Sequence, residues 1–471
     1  MIKSNLVRIL RTCSRKELRD LRKWLLSPAH NQREDVLRLF DYLLEDDHLY
    51  KDDFLSKQNL FRWVHPKIAF DDAKLRQTVF FFMKSLEEFF IYQEITQDEI
   101  RAKTLLARVY RKKKLDKTFQ KNMRVVEQIQ EKQQYRNGQY WQNEYFRQQE
   151  LYAYLSDFKR TKLNLQEISD TLDVTYLADK LRQSCLILAH QTVYKTDYEI
   201  GMLDEVLTYV EDKSFLDIPA IAIYYYGYKA TIDKEEPRYF QNLKKQIFAH
   251  DYLFPLPEIR DIYLMAINYC IGRMNAGHET FIREAFELYR KGFEQKILIE
   301  NNKVSPWTFL NVIFIGLKLK EFEWVESYIH DNQKYLEDKH RETFVHYSLA
   351  QLHYDRGEFD KARRYLIQFD TDEIIVNLRA KNLLLKLYYE EEEFDALESL
   401  LESMRSYLLR KKVMGYHKSN FKNIIRLTRK LIKINPYNQN HRKKIKQEVE
   451  VANPLTTEDR KWLLRQIEQL K

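Results

Sequence analysis

Glycine is nearly missing from this chain, with nine in 471 residues, and proline is equally scarce at nine. Sheets and tight turns lean on both residues, so so little of either excludes a fold built from many hairpins. Phosphate-cradling loops go with them: neither GxGxxG nor GxxxxGK occurs. Cys13, Cys185 and Cys270 are odd in number and far apart, without the CxxC spacing of a zinc site. They fit a reducing, cytoplasmic setting rather than a disulfide framework. No apolar run approaches the ~18 residues of a membrane span. The opening MIKSNLVRILRTCSRK lacks a continuous apolar stretch, which argues against a secretory signal. Its lack of acidic residues faintly resembles a mitochondrial presequence, but Glu17 and Asp20 continue the same helical pattern. HExxH and GxSxG are also missing, and His278–Glu279 continues as TFI. No enzyme, cofactor or metal centre is therefore expected.

What is present is bulk apolar surface. Hydrophobic residues make up 44% of the chain, with 32 Tyr and 27 Phe. Together with abundant Leu, Lys and Glu, and little punctuation, this predicts an all-α chain of long helices and short loops. The aromatic runs YYYGY (Tyr224–Tyr228) and VFFFM (Val79–Met83) read as core between helix layers.

A repeat organises the middle. An aromatic or aliphatic residue followed at +3 and +7 by small or apolar ones sets three side chains on one helix face. The pattern recurs at Leu165/Ile168/Leu172, Ile200/Leu203/Leu207, Phe240/Leu243/Ile247, Phe322/Val325/Ile329, Phe359/Ala362/Leu366 and Phe394/Leu397/Leu401. A weaker copy sits at Phe281 and Leu288. Successive first residues stand 35, 40, 41, 41, 37 and 35 apart. Val312, Leu349 and Leu384 lie ten residues before three of the phenylalanines, on what would be the preceding helix. The unit is two helices and a turn, and such a unit buries both faces only by stacking on its neighbours.

Gly357, Phe359, Ala362 and Leu366 fall at the spacing of the tetratricopeptide repeat, with Leu349 and Ala350 on its first helix. Phe394 and Leu401 mark a further copy, in which Glu392 replaces the turn glycine, as Lys320 does earlier. As a whole, 100–435 is similar to divergent tetratricopeptide-like arrays of bacterial proteins. The resemblance implies a right-handed α-solenoid, with the glycine closing the turn and the alanine allowing close helix approach. It also implies a habit of binding a protein or peptide on the concave face, and no activity. Pentatricopeptide repeats share the period, but FDTDEI (Phe369–Ile374) lacks their closing Met, Gly and Pro.

The expected divisions are an N-terminal helical domain at 1–95, long helices at 96–158, repeats at 159–405, a basic capping region at 406–446 and a helical tail at 447–471. In the first of these, Asp71 or Asp72 caps a helix running to about Gln93. The order of short helix, LFRW, acidic cap and long helix loosely resembles a winged-helix DNA-binding domain. No alternating hairpin follows for a wing, and 56–95 carries six Lys and Arg against five acids. A capping bundle is the preferred reading. The run RKKKLDK (Arg111–Lys117) reads as a solvated face.

From Arg405 to Lys446 there are 14 Lys and Arg and no acid. As the whole chain is +9, everything outside this segment sums to −5. On a helix, Phe421, Ile424, Ile425, Thr428, Leu431 and Ile432 gather on one side. Lys418, Lys422, Arg426, Arg429, Lys430 and Lys433 gather on the other. With Arg410, Lys411 and Lys412 upstream, this is either a solvated cap or a docking strip for an anionic partner. The sequence therefore reads as a non-enzymatic interaction scaffold. A nucleic-acid-associated regulator, acting through the N-terminal domain or the basic strip, stands as the alternative.

Overall fold

The computed structural model describes residues 4–158, 161–194, 196–212, 214–367, 369, 371–411, 415–435 and 437–470. Among the described residues the chain forms 23 α-helices, and its one β pairing is an isolated bridge between Glu300 and Lys303. It divides into two compact units, Met1–Lys180 and Leu181–Lys471.

The first unit opens with α1 (Asn5–Leu10), α2 (Arg15–Leu26), α3 (Glu34–Leu44), α4 (Lys57–Val64) and α5 (Asp72–Gln97). Local caps set these boundaries. The Glu17 amide donates to Ser14 Oγ at 3.2 Å, and Glu17 Oε2 accepts from the Ser14 amide at 2.7 Å. Asp71 accepts from the amides of Ala73 and Lys74 to start α5. Phe40, Phe61 and Phe82 meet in the core of these five helices. Phe80, from the VFFFM run expected to be core, is 63% exposed, because it faces away from Phe82 on the same helix. No strand forms among described residues 4–95, so no wing accompanies α5.

Next come α6 (Glu99–Lys112), α7 (Asp116–Lys132) and α8 (Gly138–Leu155). Glu150 on α8 is buried and receives Arg108 at 2.5 Å and Arg111 at 3.1 Å. Arg111 therefore ties α6 to α8 instead of belonging to a solvated run. The division between the units falls inside α9 (Leu165–Tyr194). The repeat copy expected at Leu165 is not a core stripe: Leu165 is 55% and Leu172 44% exposed. The buried side of α9 is Val174, Leu177, Ala178, Leu181 and Cys185. Both stripes have three-and-four spacing, so periodicity alone does not choose between them.

In the second unit, α10 (Leu203–Asp212) precedes five antiparallel pairs. They are α11 (Pro219–Ile232) with α12 (Pro237–His250), α13 (Leu256–Asn275) with α14 (Phe281–Glu294), and α15 (Pro306–Lys318) with α16 (Phe322–Asn332). Then follow α17 (Asp338–Asp355) with α18 (Phe359–Ile367), and α19 (Ile374–Glu390) with α20 (Phe394–Arg410). Ile200, the start of another expected copy, lies in the loop before α10. From Phe240 on, every copy falls in the second helix of a pair. First helices touch one another, α11 on α13, α15 on α17 and α17 on α19, and each second helix packs on the next first helix.

One turn recurs. Gly357 has φ 77°, its amide donates to the Tyr354 carbonyl at 2.9 Å, and the Glu358 amide donates to His353 O at 2.8 Å. This paired arrangement closes a helix C-terminus. Lys320 (φ 59°) and Glu392 (φ 60°) hold the same conformation with the same two bonds, as do Gly277 after α13 and Lys114 after α6. The turn is thus conserved in geometry where the glycine is not present.

The chain ends with α21 (Gly415–Ile432), α22 (Gln439–Val451) and α23 (Thr457–Gln469). Phe421, Ile424, Ile425, Thr428 and Leu431 of the expected stripe are buried and Ile432 is half-buried, while Leu427, outside that stripe, is buried as well.

Candidate functional site

The last helix does not trail away as a tail. Thr456 Oγ1 accepts from the Asp459 amide at 3.1 Å to start α23, and Trp462, Leu463 and Ile467 are buried on its inner side. This side packs on α21 and α22 and reaches α19, where the rings of Trp462 and Tyr389 lie 5.4 Å apart. Buried Asp459 meets Lys386 Nζ at 2.6 Å and accepts from Asn382 at 2.9 Å. Burial alone would raise the Asp459 carboxyl, but Lys386, Asn382 and Thr456 outweigh it and hold the group below its ordinary range. Glu390 Oε1 gathers four donors: Tyr354 Oη and Trp462 Nε1 at 2.8 Å, Arg465 at 2.8 Å, and Gln466 at 3.1 Å. Farther out, Lys461 reaches Glu279 at 2.5 Å and Lys318 reaches Glu458 at 2.7 Å.

Beside α23 a groove of about 500 Å³ stays open, lined by Ile282, Phe314, Leu317 and Phe322 and by Asp355. Asp355 is open to solvent on the groove side yet enclosed by protein around it. That enclosure pushes its carboxyl up to about 6, against the pull of Gln351, Lys386 and Arg465.

A second groove, of about 760 Å³, lies between the end of α20, α21 and α22. Leu408, Ile425 and Ile445 form its floor, and seven cations line it: Arg405, Lys422, Arg426, Arg429, Lys430, Lys433 and Lys444. The strip does not carry charge of one sign alone, as the sequence segment does. Glu448 of α22 pairs with Arg426 at 3.2 Å and Lys430 at 2.5 Å, while Glu402 of α20 pairs with Arg429 and, at 3.6 Å, with Arg405. These carboxylates come from neighbouring helices, which a segment-by-segment charge count does not bring together. Arg410 and Lys411 sit at the end of α20 outside the groove lining, and Lys412 lies outside the described residues. Arg405, His441, Lys444 and Glu448 join the site unforeseen. The basic run RKKIK within α22 was the signal for Lys444.

Of the repeat residues, Leu349, Ala362, Leu366 and Leu401 are buried. Phe359 is half-buried, with its ring 5.7 Å from that of Tyr354. Phe394 is 41% exposed and meets Tyr389 edge-on at 5.9 Å. His353 is buried, and its Nδ1 lies 2.7 Å from Glu358 Oε2.

Among the described residues no group of three or more His, Cys, Asp or Glu side chains is placed to hold a metal ion, and no helix is long and apolar enough to cross a membrane. The Cys185 thiol is pushed up to about 12 by burial, and Cys270 is raised by burial as well. Neither is a ready nucleophile.

The class that fold and surfaces define is an all-α protein of paired antiparallel helices, with its final helix packed on α21 and α22 and bonded to α19. No protein-family model matches the chain, and no curated protein or solved structure is significantly similar to it.

Proposed function

We propose that this chain is a non-enzymatic interaction protein. It is a tetratricopeptide-like right-handed α-solenoid whose concave face, made by the first helices of the pairs, receives a helical segment of a protein partner. One observation carries this reading: α19, one of those first helices, already holds a helix of this chain, α23, through a buried Trp462 and the donors gathered on Glu390. A surface that recognises one amphipathic helix has the apolar sockets and fixed charges for another. The open groove beside α23, with Phe314 exposed in it, supports a place for that second helix.

The test is affinity purification of the full chain from its native cell, quantified by mass spectrometry, beside Phe314→Asp. Phe314 is 41% exposed, so this substitution spares the core. A stoichiometric partner retained by the parent and lost by Phe314→Asp is expected. Equal recovery by both, or no stoichiometric partner, overturns the reading.

A further inference from the structure

We propose that the cationic groove between α20, α21 and α22 is a second binding site, separate from the inner face, and that it takes an acidic amphipathic helix. Three observations lead there. The first is how the charges are spread. Lys422, Arg426, Arg429 or its neighbour Lys430, and Lys433 just past the helix end follow at three- and four-residue steps along α21. Lys422 and Lys433 are eleven residues apart, or about 16 Å along the helix. Such a ladder does not converge on one phosphate group. It matches carboxylates repeating at the same rise on a helix lying alongside.

The second observation is which charges are already used. Glu402 and Glu448 between them engage Arg405, Arg426, Arg429 and Lys430. Among the described residues, Lys422, Lys433 and Lys444 are exposed and no ion pair engages them. The chain thus complements part of its own ladder with carboxylates from adjacent helices and leaves three lysines around the rest. A helix carrying Glu or Asp would extend the arrangement that α22 begins.

The third is the floor. Leu408, Ile425 and Ile445 lie beneath the cations, and Leu409, 68% exposed, stands at the rim. Aliphatic surface between charges suits the Leu stripe of an amphipathic helix and offers nothing to a phosphate backbone. Among the described residues no Phe, Tyr or Trp lines the groove and His441 is its one ring, so unpaired bases meet few of the stacking platforms that hold single strands. Charge and apolar complementarity together favour the acidic helix over nucleic acid.

The experiment uses the full chain and fluorescence anisotropy with three labelled probes. One is a peptide of about 16 residues with Glu at i, i+4, i+7 and i+11 and Leu on the adjoining stripe. The second has the same composition in shuffled order, and the third is an oligothymidylate of equal charge. The phased peptide is expected to bind at least about tenfold tighter than either control, weakening between about 0.05 and 0.5 M salt. Combined Lys422→Glu, Lys433→Glu and Lys444→Glu should cost about tenfold or more in affinity, with an unchanged circular-dichroism melting curve. Leu409→Asp should also weaken the phased peptide and leave the shuffled one as it was. If charge reversal alters the melting curve, Gln at the same three positions serves in its place. Equal binding of phased and shuffled peptides, oligothymidylate binding as tight as the phased peptide, or no binding at all would each overturn the proposal.

Discussion

A left-handed backbone at Lys114, Lys320 and Glu392 is the least legible part of this structure. Residue type did not announce it, because lysine and glutamate rarely take positive φ. Repeat spacing places Lys320 and Glu392 at the position of Gly357, whereas nothing in the sequence marks Lys114. Each non-glycine here is held against its preference by the two bonds that close the helix. Glu392→Gly and Lys114→Gly are therefore expected to stabilise the protein by about 0.5–1 kcal/mol each, after allowing for the added freedom of glycine in the unfolded chain. Urea unfolding midpoints check this, and a lower midpoint would contradict it. A second residue-scale effect concerns Asp355, whose folded value is about 6 against an ordinary value of about 4. A carboxyl raised on folding binds its proton more tightly in the native state. Its contribution is thus most favourable at low pH, and stability falls as pH rises from about 4 through about 6. Asp355→Asn should flatten stability across that interval, as thermal melts at several pH values would show. A slope unchanged by the substitution would rule Asp355 out as its source.

Single helices were legible wherever the apolar stripe had a partner next door in sequence. The faces of α18 and α21 followed from spacing alone, since helical phase decides which residues are buried. Ala362 is fully buried on α18. Ala362→Leu should overpack it and destabilise by about 1–3 kcal/mol, read from the shift in denaturation midpoint. An unchanged midpoint would show that the site yields freely. By contrast, α23 looked like a tail. Trp462, Leu463 and Ile467 form a plain amphipathic stripe on α21 and α22, but nothing local says that Asp459 and Trp462 also meet Lys386 and Glu390 of α19. The same limit hid Glu402 and Glu448 from the basic strip. Burial also changes what one charge is worth. Asp459 is depressed below its ordinary range, so its stabilisation is present above pH about 4 and is lost as pH falls through the folded value. Asp459→Ala leaves the half-buried Lys386 without its partner and should cost about 3 kcal/mol, measured by urea denaturation at neutral pH. A loss under about 1 kcal/mol would mean the pair is screened like a surface bridge.

Helix pairs that touch only their neighbours unfold by pieces, because each interface is local. In the second unit α23 breaks that locality, linking the start of α14, through Glu279, to α15 and α19. Truncation after Pro454 should therefore broaden the urea transition of this unit as well as lower its midpoint. A truncated chain that keeps the parent's steep single transition would show that α23 adds stability without coupling the pairs. The same link fixes an order in time. Lys461 follows Glu279 by 182 residues, so at about 5–20 residues per second the ribosome makes one roughly 10–40 s after the other. In the last part of that interval, once Glu390 has been made, Lys318 of α15 and Lys386 and Glu390 of α19 await α23 with no helix of their own chain to engage them. A partner helix present during translation meets no internal competitor, whereas one arriving later must bind beside α23 or displace it.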